Sequence, residues 1–362
     1  MAEFREEVIC PVSPQALVLL CAGAVAAVVV LVATGLVRHF ALARAVLDVP
    51  NERSLHAVPT PRGGGLAIGL TVTVAVLWLG LAGRLPPRVA TGLLGAMALV
   101  LLVGWVDDVR SLSNRARMLA QAAAACWFLV WIGGFPVVDV GQRAVQLGWP
   151  GAALALVGIV WSINLYNFMD GIDGIAGGQG LVAASFGAAL LVGAAPGLAL
   201  LSATIAGACL GFLGWNWSPA RIFMGDAGSG LLGFLFAAIA ILSERSGGPP
   251  VLAWLLFGGV FIFDATVTLV RRFLRGERWY AAHRSHAYQR AVQSGWSHAR
   301  VTIGAMVLAV MLGALGTLIT LEPARWTLLG GAGLALLLGC YLLIEQRRPM
   351  WPRTPTSPPL TH

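Results

Sequence analysis

The amino-acid sequence predicts an all-α polytopic membrane protein, a bundle of about eleven transmembrane helices, on three observations. Of its 362 residues, 58% are hydrophobic and 11% charged, and the mean hydropathy is +0.80, so a soluble fold would leave more apolar surface than it could bury. Eleven apolar runs approach the ~20 residues that cross a hydrocarbon core of ~30 Å. Arginines crowd alternate connections between those runs, the charge bias of a multi-pass chain.

The runs fall near 14–37, 64–83, 88–106, 116–133, 149–166, 178–194, 197–214, 229–243, 251–270, 301–320 and 326–344. With the N-terminus outside, the connections that include Arg62, Arg115, Arg221, Arg271, Arg284 and the C-terminal tail carry eighteen arginines, against six on the other face. The richer face is therefore expected to be cytoplasmic, with the C-terminus on it. All 24 basic residues are Arg and the net charge is +8. That charge would suit nucleic acid, but its placement along membrane-edge connections argues for the membrane and against a nucleic-acid partner. The start, MAEFREEVIC, is too acidic for a cleavable signal and is expected to be a short exposed tail. Residues 1–345 are read as one transmembrane domain, and 346–362, rich in proline, as a disordered cytoplasmic tail. Five scattered cysteines show no metal-type spacing. The 45 glycines suit close helix packing in lipid.

The carboxylates converge on the arginine-rich face. Asp107 and Asp108 end the third run in "GWVDDVRSLSNRAR"; two adjacent acids there imply a cation or a proton, or else pairing with Arg110, Arg115 or Arg117. In "NFMDGIDGIAGG", Asn167, Asp170 and Asp173 are spaced three apart and share a face, with Gly171, Gly174, Gly177 and Gly178 able to admit a ligand. An acidic D-G-x-D-G loop suits a hard cation, although D-G is also ordinary turn chemistry. In "FMGDAGSG", Asp226 stands where helix-start N–H groups favour phosphate and the carboxylate can hold a metal, or where Asp and Ser merely cap the next helix. His283, Arg284 and His286 in the longest arginine-rich connection offer anion or nucleotide contacts rather than a zinc site, since no third ligand joins the histidines. Arg53, His56 and Arg62 lie with Asp48 on a proline-stiffened loop, and Asp264 stands inside the ninth run, where it should face the bundle. Together these residues suit a metal-assisted reaction on an anionic phosphate substrate. The competing reading is a transporter that uses intramembrane acids, for which acids near the midplane and two related halves would be expected.

The order of motifs, "PNERSLHAVPTPRGGG", "GWVDDVRSLSNRARMLAQ", "NFMDGIDGIAGG", "FMGDAGSG" and the region from Asp264 to Arg275, resembles the polyprenyl-phosphate N-acetylhexosamine-1-phosphate transferases, glycosyltransferase family 4. The resemblance covers about residues 35–300. It implies transfer of a sugar-1-phosphate from a UDP-N-acetyl sugar to undecaprenyl phosphate, with release of UMP. It also implies Mg²⁺, with Mn²⁺ as substitute, and a cytoplasmic site on a bacterial inner-membrane protein, for which a homodimer is one expected assembly. By motif, Asp107 and Asp108 would be catalytic, Asp226 and Asp170 would bind metal, and Asn167, Asp173, His283, Arg284, His286, Arg53, His56 and Arg62 would bind substrate. The family's Asp-x-x-His-x-His-His pattern reads His283, Arg284, Ser285, His286, Ala287, Tyr288, Gln289 here. That departure resembles the branch that initiates O-antigen or other surface polysaccharides.

Overall fold

The computed structural model describes residues 13–50, 55–56, 58–135, 137–278 and 283–351. All eleven apolar runs are helical. In chain order the helices of these runs are α1 (Pro14–Ala43), α2 (Gly65–Leu81), α3 (Pro87–Val109), α4 (Asn114–Ile132), α5 (Trp149–Met169), α6 (Ile175–Leu190), α7 (Pro196–Asn216), α8 (Gly225–Arg245), the seven-residue α9 (Val251–Phe257) with α10 (Gly259–Leu274), α12 (His298–Leu321) and α13 (Trp326–Arg347). A short α11 (Ala287–Gln293) stands in the connection before α12. Two small antiparallel ribbons, β1 (Leu47–Asp48) with β2 (Thr60–Pro61) and β3 (Val137–Val140) with β4 (Arg143–Gln146), are the strands among the described residues.

Among the described residues seven helices are long and apolar enough to cross a membrane, or eight when α9 and α10 are taken as one span bent by 81° at Gly258. The expected eleven exceeds that number for identifiable reasons. α2 and α6 have 17 and 16 residues, about 25 Å at 1.5 Å per residue, short of a ~30 Å core. α4 opens with Asn114, Arg115 and Arg117, polar residues in its first turn. Proline in the first turn of α3, α5 and α7 starts those helices where a missing N–H costs nothing. Gly133, at φ 79°, ends α4 in the left-handed conformation that glycine tolerates.

The bundle is layered around α7 and α8, whose apolar stretches are 78% and 83% buried, against 11% for α1 and 17% for the last span. One hydrophobic cluster runs through the chain from Val30 to Val301, and a smaller one joins Leu256, Leu312, Ile319 and Leu337. The C-terminal boundary lies further on than a tail beginning at 346 would have it. α13 continues to Arg347, Met350 N donates to Glu345 at 3.2 Å, and Trp351 Nε1 donates to Glu277 at 2.6 Å. Proline breaks the helix after Arg348, but the chain stays packed through Trp351 because an aromatic ring and an acid find partners there.

Candidate active site

The last turn of α3 carries Asp107 and Asp108, both buried. Acids at a helix C-terminus oppose the macrodipole, and each needs compensation. Asp108 obtains it from another helix: its Oδ1 accepts the Asp226 N–H at 2.9 Å and its Oδ2 the Ala227 N–H at 3.3 Å. Two of the donors that a helix start leaves without partners are thus capped in trans. The expected phosphate at those N–H groups is therefore replaced by a carboxylate of the chain itself. Gly225 makes the contact possible. Its φ is 78°, and a Cβ there would stand 2.6 Å from Asp108 Oδ2.

Asp107 accepts from Leu112 N at 2.6 Å and from Arg117 Nη1 at 2.9 Å. The same guanidinium nitrogen lies 3.4 Å from Asp226 Oδ2, so Arg117 in the first turn of α4 bridges α3 and α8. Asn167, near the end of α5, donates to Asp226 Oδ1 at 2.7 Å. Arg62 donates to the backbone carbonyl of Asp108. These contacts gather Asp107, Asp108, Asn167 and Asp226, distant in sequence, onto one meeting point of helix ends.

Beside it lies a polar cavity of about 240 Å³ whose wall includes Asp48, His56, Arg62, Asp108, Asn167, Asp170, Asp173, Asp226, Gln289 and His298. Asp170 follows the last residue of α5 and faces this cavity. Burial, then the neighbouring Asp226, Asp108 and Asp173 carboxylates, holds its carboxyl well above the usual range. Asp173 is tied down instead. Its Oδ2 accepts the Ala220 N–H at 3.2 Å and sits 3.3 Å from His298 Nδ1. Burial raises its affinity for the proton, but the His298 hydrogen bond and charge, with Ser218 and Ala220, outweigh that and hold it below the ordinary carboxylate value.

The remaining expected residues divide. His56 and Arg62 line the cavity, with the His56 ring edge-on to Phe223 at 4.9 Å. Arg53 lies outside the described residues. His283, Arg284 and His286 are not among the residues of the cavity wall. His286 is buried as the cap of α11, packed between the Phe168 and Tyr288 rings. Burial, then His286 and Arg272, pushes the His283 imidazole down to about 3. Of the four glycines in the acidic loop, Gly171 lines the cavity, whereas Gly177 packs on Leu213 and Gly178 on Met306.

His298 and Asn216 were not singled out by sequence as site residues, and Arg117, expected as a possible partner of Asp107 or Asp108, also reaches Asp226. Arg117 bridges two acids, His298 pairs with Asp173, and Asn216 accepts the Gly174 N–H at 2.9 Å, fixing the end of the acidic loop. A His directly after the Ser297 cap of α12 is a visible signal, but only three-dimensional proximity connects it to Asp173. Asp264, expected to face the bundle, accepts the backbone N–H groups of Ala287 at 2.7 Å and Tyr288 at 3.1 Å and so fastens α11.

Five carboxylates around one cavity, Asp48, Asp108, Asp170, Asp173 and Asp226, repel one another, and Asp170 shows the consequence; a hard divalent cation fits such a site. Among the described residues no three His, Cys, Asp or Glu side chains are grouped closely enough to hold an ion unaided.

Residues 90–244 match the model of the family described as Glycosyl transferase family 4. The chain is 32% identical over 368 residues to a decaprenyl-phosphate N-acetylglucosaminephosphotransferase of Mycolicibacterium smegmatis, covering 90% of this chain and 88% of the relative. It is 30% identical to a probable undecaprenyl-phosphate N-acetylglucosaminyl 1-phosphate transferase of Bacillus subtilis, covering 82% and 83%. It is 32% identical to a phospho-N-acetylmuramoyl-pentapeptide-transferase of a Picosynechococcus species, covering 65% and 66%. On that extent of similarity the chain belongs to glycosyl transferase family 4, among the polyprenyl-phosphate sugar-phosphate transferases.

Proposed function

We propose that the protein transfers an N-acetylhexosamine-1-phosphate from a UDP-sugar to undecaprenyl phosphate, releasing UMP, as the first lipid-linked step of a cell-surface polysaccharide of the O-antigen type. The observation that carries this reading is the meeting of Asp107, Asp108, Asn167, Asp170 and Asp226 beside a polar cavity at helix ends. A transporter that uses its acids as an ion path would need them along a crossing route, whereas here they gather at one end of α3, α5 and α8.

In this reading the cavity lined by Asp48, His56, Arg62, Gln289 and His298 receives the nucleotide sugar. The acceptor phosphate approaches Arg117, which Asp107 orients. An acceptor phosphate oxygen attacks the sugar-bearing phosphorus, a new P–O bond forms, the bond to the UMP oxygen breaks, and UMP leaves with the electron pair. Asp226 and Asp170 would hold Mg²⁺, or Mn²⁺ in its place, which supplies charge neutralisation for the pyrophosphate when bound. Asn167 keeps the Asp226 carboxylate aimed at the cavity. Both Asp108 oxygens accept backbone N–H bonds, which weakens Asp108 as a nucleophile and supports direct transfer over a covalent aspartyl intermediate. Rate then comes from positioning and electrostatic neutralisation.

In the sequence, on the eleven-run reading, eighteen of the 24 arginines fall on the same set of connections and run ends as the site's acids, which supports a cytoplasmic active site in a bacterial inner membrane, with the N-terminus outside. The test is purified protein with undecaprenyl phosphate, Mg²⁺ and a panel of UDP-N-acetyl sugars, reading UMP release. Release with an N-acetylhexosamine donor is expected; no release with any donor would overturn the reading. A burst of UMP without acceptor would overturn direct transfer.

A further inference from the structure

We propose that the C-terminal segment from Glu345 to Trp351 is a positioning strap that holds residues 283–293, and with them Gln289, against the cavity. The inference rests on the transferase reading for the substrate it names.

The first turn of α11 forms part of the cavity wall through Gln289. Its neighbour Tyr288 donates from Oη to the Phe168 carbonyl at 2.9 Å, one residue from Asn167, and fills the space that a Cβ on Gly171 would need. α11 therefore sits directly on the acidic loop. At seven residues it is too short to persist as a helix by itself, so its position depends on what fastens it.

Asp264 fastens one side, through the N–H groups of Ala287 and Tyr288. The other side is fastened by the strap. Arg290, 2% exposed, follows Gln289 directly. Its Nη1 donates to Glu345 at 2.6 Å and to the Arg348 carbonyl at 2.9 Å, while its Nε donates to the Ser285 carbonyl at 3.1 Å. Glu345 also takes two bonds from Arg271, at 2.8 and 3.1 Å. Arg348 Nε reaches Gln293 at 2.9 Å. Trp351 closes the assembly: its ring lies under Arg271 at 4.9 Å and Arg275 at 4.3 Å. The strap thus links the end of α10 to Arg290 and Gln293, and Arg290 in turn reaches back to Ser285 at the start of the segment. A general excess of arginine on this face explains exposed guanidinium groups, but not a buried one held by a carboxylate, which it shares with Arg271, and by a carbonyl.

The experiment uses the full chain with Glu345→Gln and Trp351→Ala, alongside Glu345→Asp and Trp351→Phe. Steady-state rates are measured with donor and acceptor varied separately, and hydrogen exchange is followed at the amides of 285–293. The expected result is a KM for the nucleotide sugar raised about tenfold, with kcat and the acceptor KM within about twofold. Faster exchange confined to 285–293 should accompany it, and both effects should be largely restored in the conservative variants. Unchanged donor KM with unchanged local exchange would overturn the proposal, as would an equal loss for both substrates with faster exchange throughout the bundle. Absence of UMP release by the wild-type protein would sink the transferase reading, while the exchange arm would still decide whether the strap holds α11.

Discussion

Asp226 is where the site's demands meet: its carboxylate touches Asn167 and Arg117, and its backbone N–H is held by Asp108. Asp226→Asn keeps the size and removes the charge, so it should lower the rate of UMP release by about a hundredfold or more while leaving the thermal unfolding temperature close to wild type. Arg117→Ala would leave Asp107 and Asp226 facing each other without their shared cation. A reduced rate together with a raised KM for the lipid acceptor is expected, and an unchanged acceptor KM would count against Arg117 as the phosphate contact. Asp173 gives a pH prediction. Its carboxyl binds protons less readily in the folded state than in the unfolded one, so the stability it contributes is present above the ordinary carboxylate pKa and is lost as pH falls through the lower, folded value. Thermal unfolding in detergent should lose stability on acidification more steeply for wild type than for Asp173→Asn.

At the scale of elements, catalysis depends on helix ends being delivered to one point, and small residues set the delivery. α3 and α8 touch through Gly104, where a Cβ would stand 2.6 Å from the Ala227 nitrogen. A larger residue would push the start of α8 away and withdraw the N–H groups that Asp108 accepts. Gly104→Leu should therefore cost both melting temperature and UMP release, whereas Leu102→Ala, at an exposed position on the same helix, should alter neither by much. The bend between α9 and α10 has a similar use. It sets Asp264 in the interior, where it caps α11 from a neighbouring helix rather than extending a straight span.

The whole molecule is an inner pair of helices, α7 and α8, wrapped by helices whose outer faces remain apolar. Exposed Leu, Val and Trp along α1, α2, α5 and α13 would be aggregation-prone in water and are at home in hydrocarbon. If the arginine-rich face is cytoplasmic, single cysteines in the β3–β4 ribbon should be labelled by an impermeant reagent from outside intact cells, and cysteines beside Arg117 should not. The reverse pattern would invert the orientation.

Much of this was legible in sequence. The polytopic all-α class follows from apolar run length and needs no tertiary knowledge, because lipid forces each crossing segment to satisfy its own backbone. The D-D, N-x-x-D-G-x-D-G and G-D-A-G-S-G stretches marked Asp107, Asp108, Asn167, Asp170, Asp173 and Asp226 before any geometry was known. The spans were harder to number, since α2 and α6 are apolar yet short and α9 with α10 is one run with a corner. Which groups meet was decided only by the tertiary structure. Arg117, His298 and Gln289 gain their places from helices that cross, while His283 and His286, conspicuous by chemistry, are not among the residues of the cavity wall, and His286 caps α11 instead. The physical reason is that a sequence displays which charges must be compensated, since burial makes that obligatory, but the identity of the compensating partner is set by packing between segments up to 125 residues apart, as in His298 and Asp173.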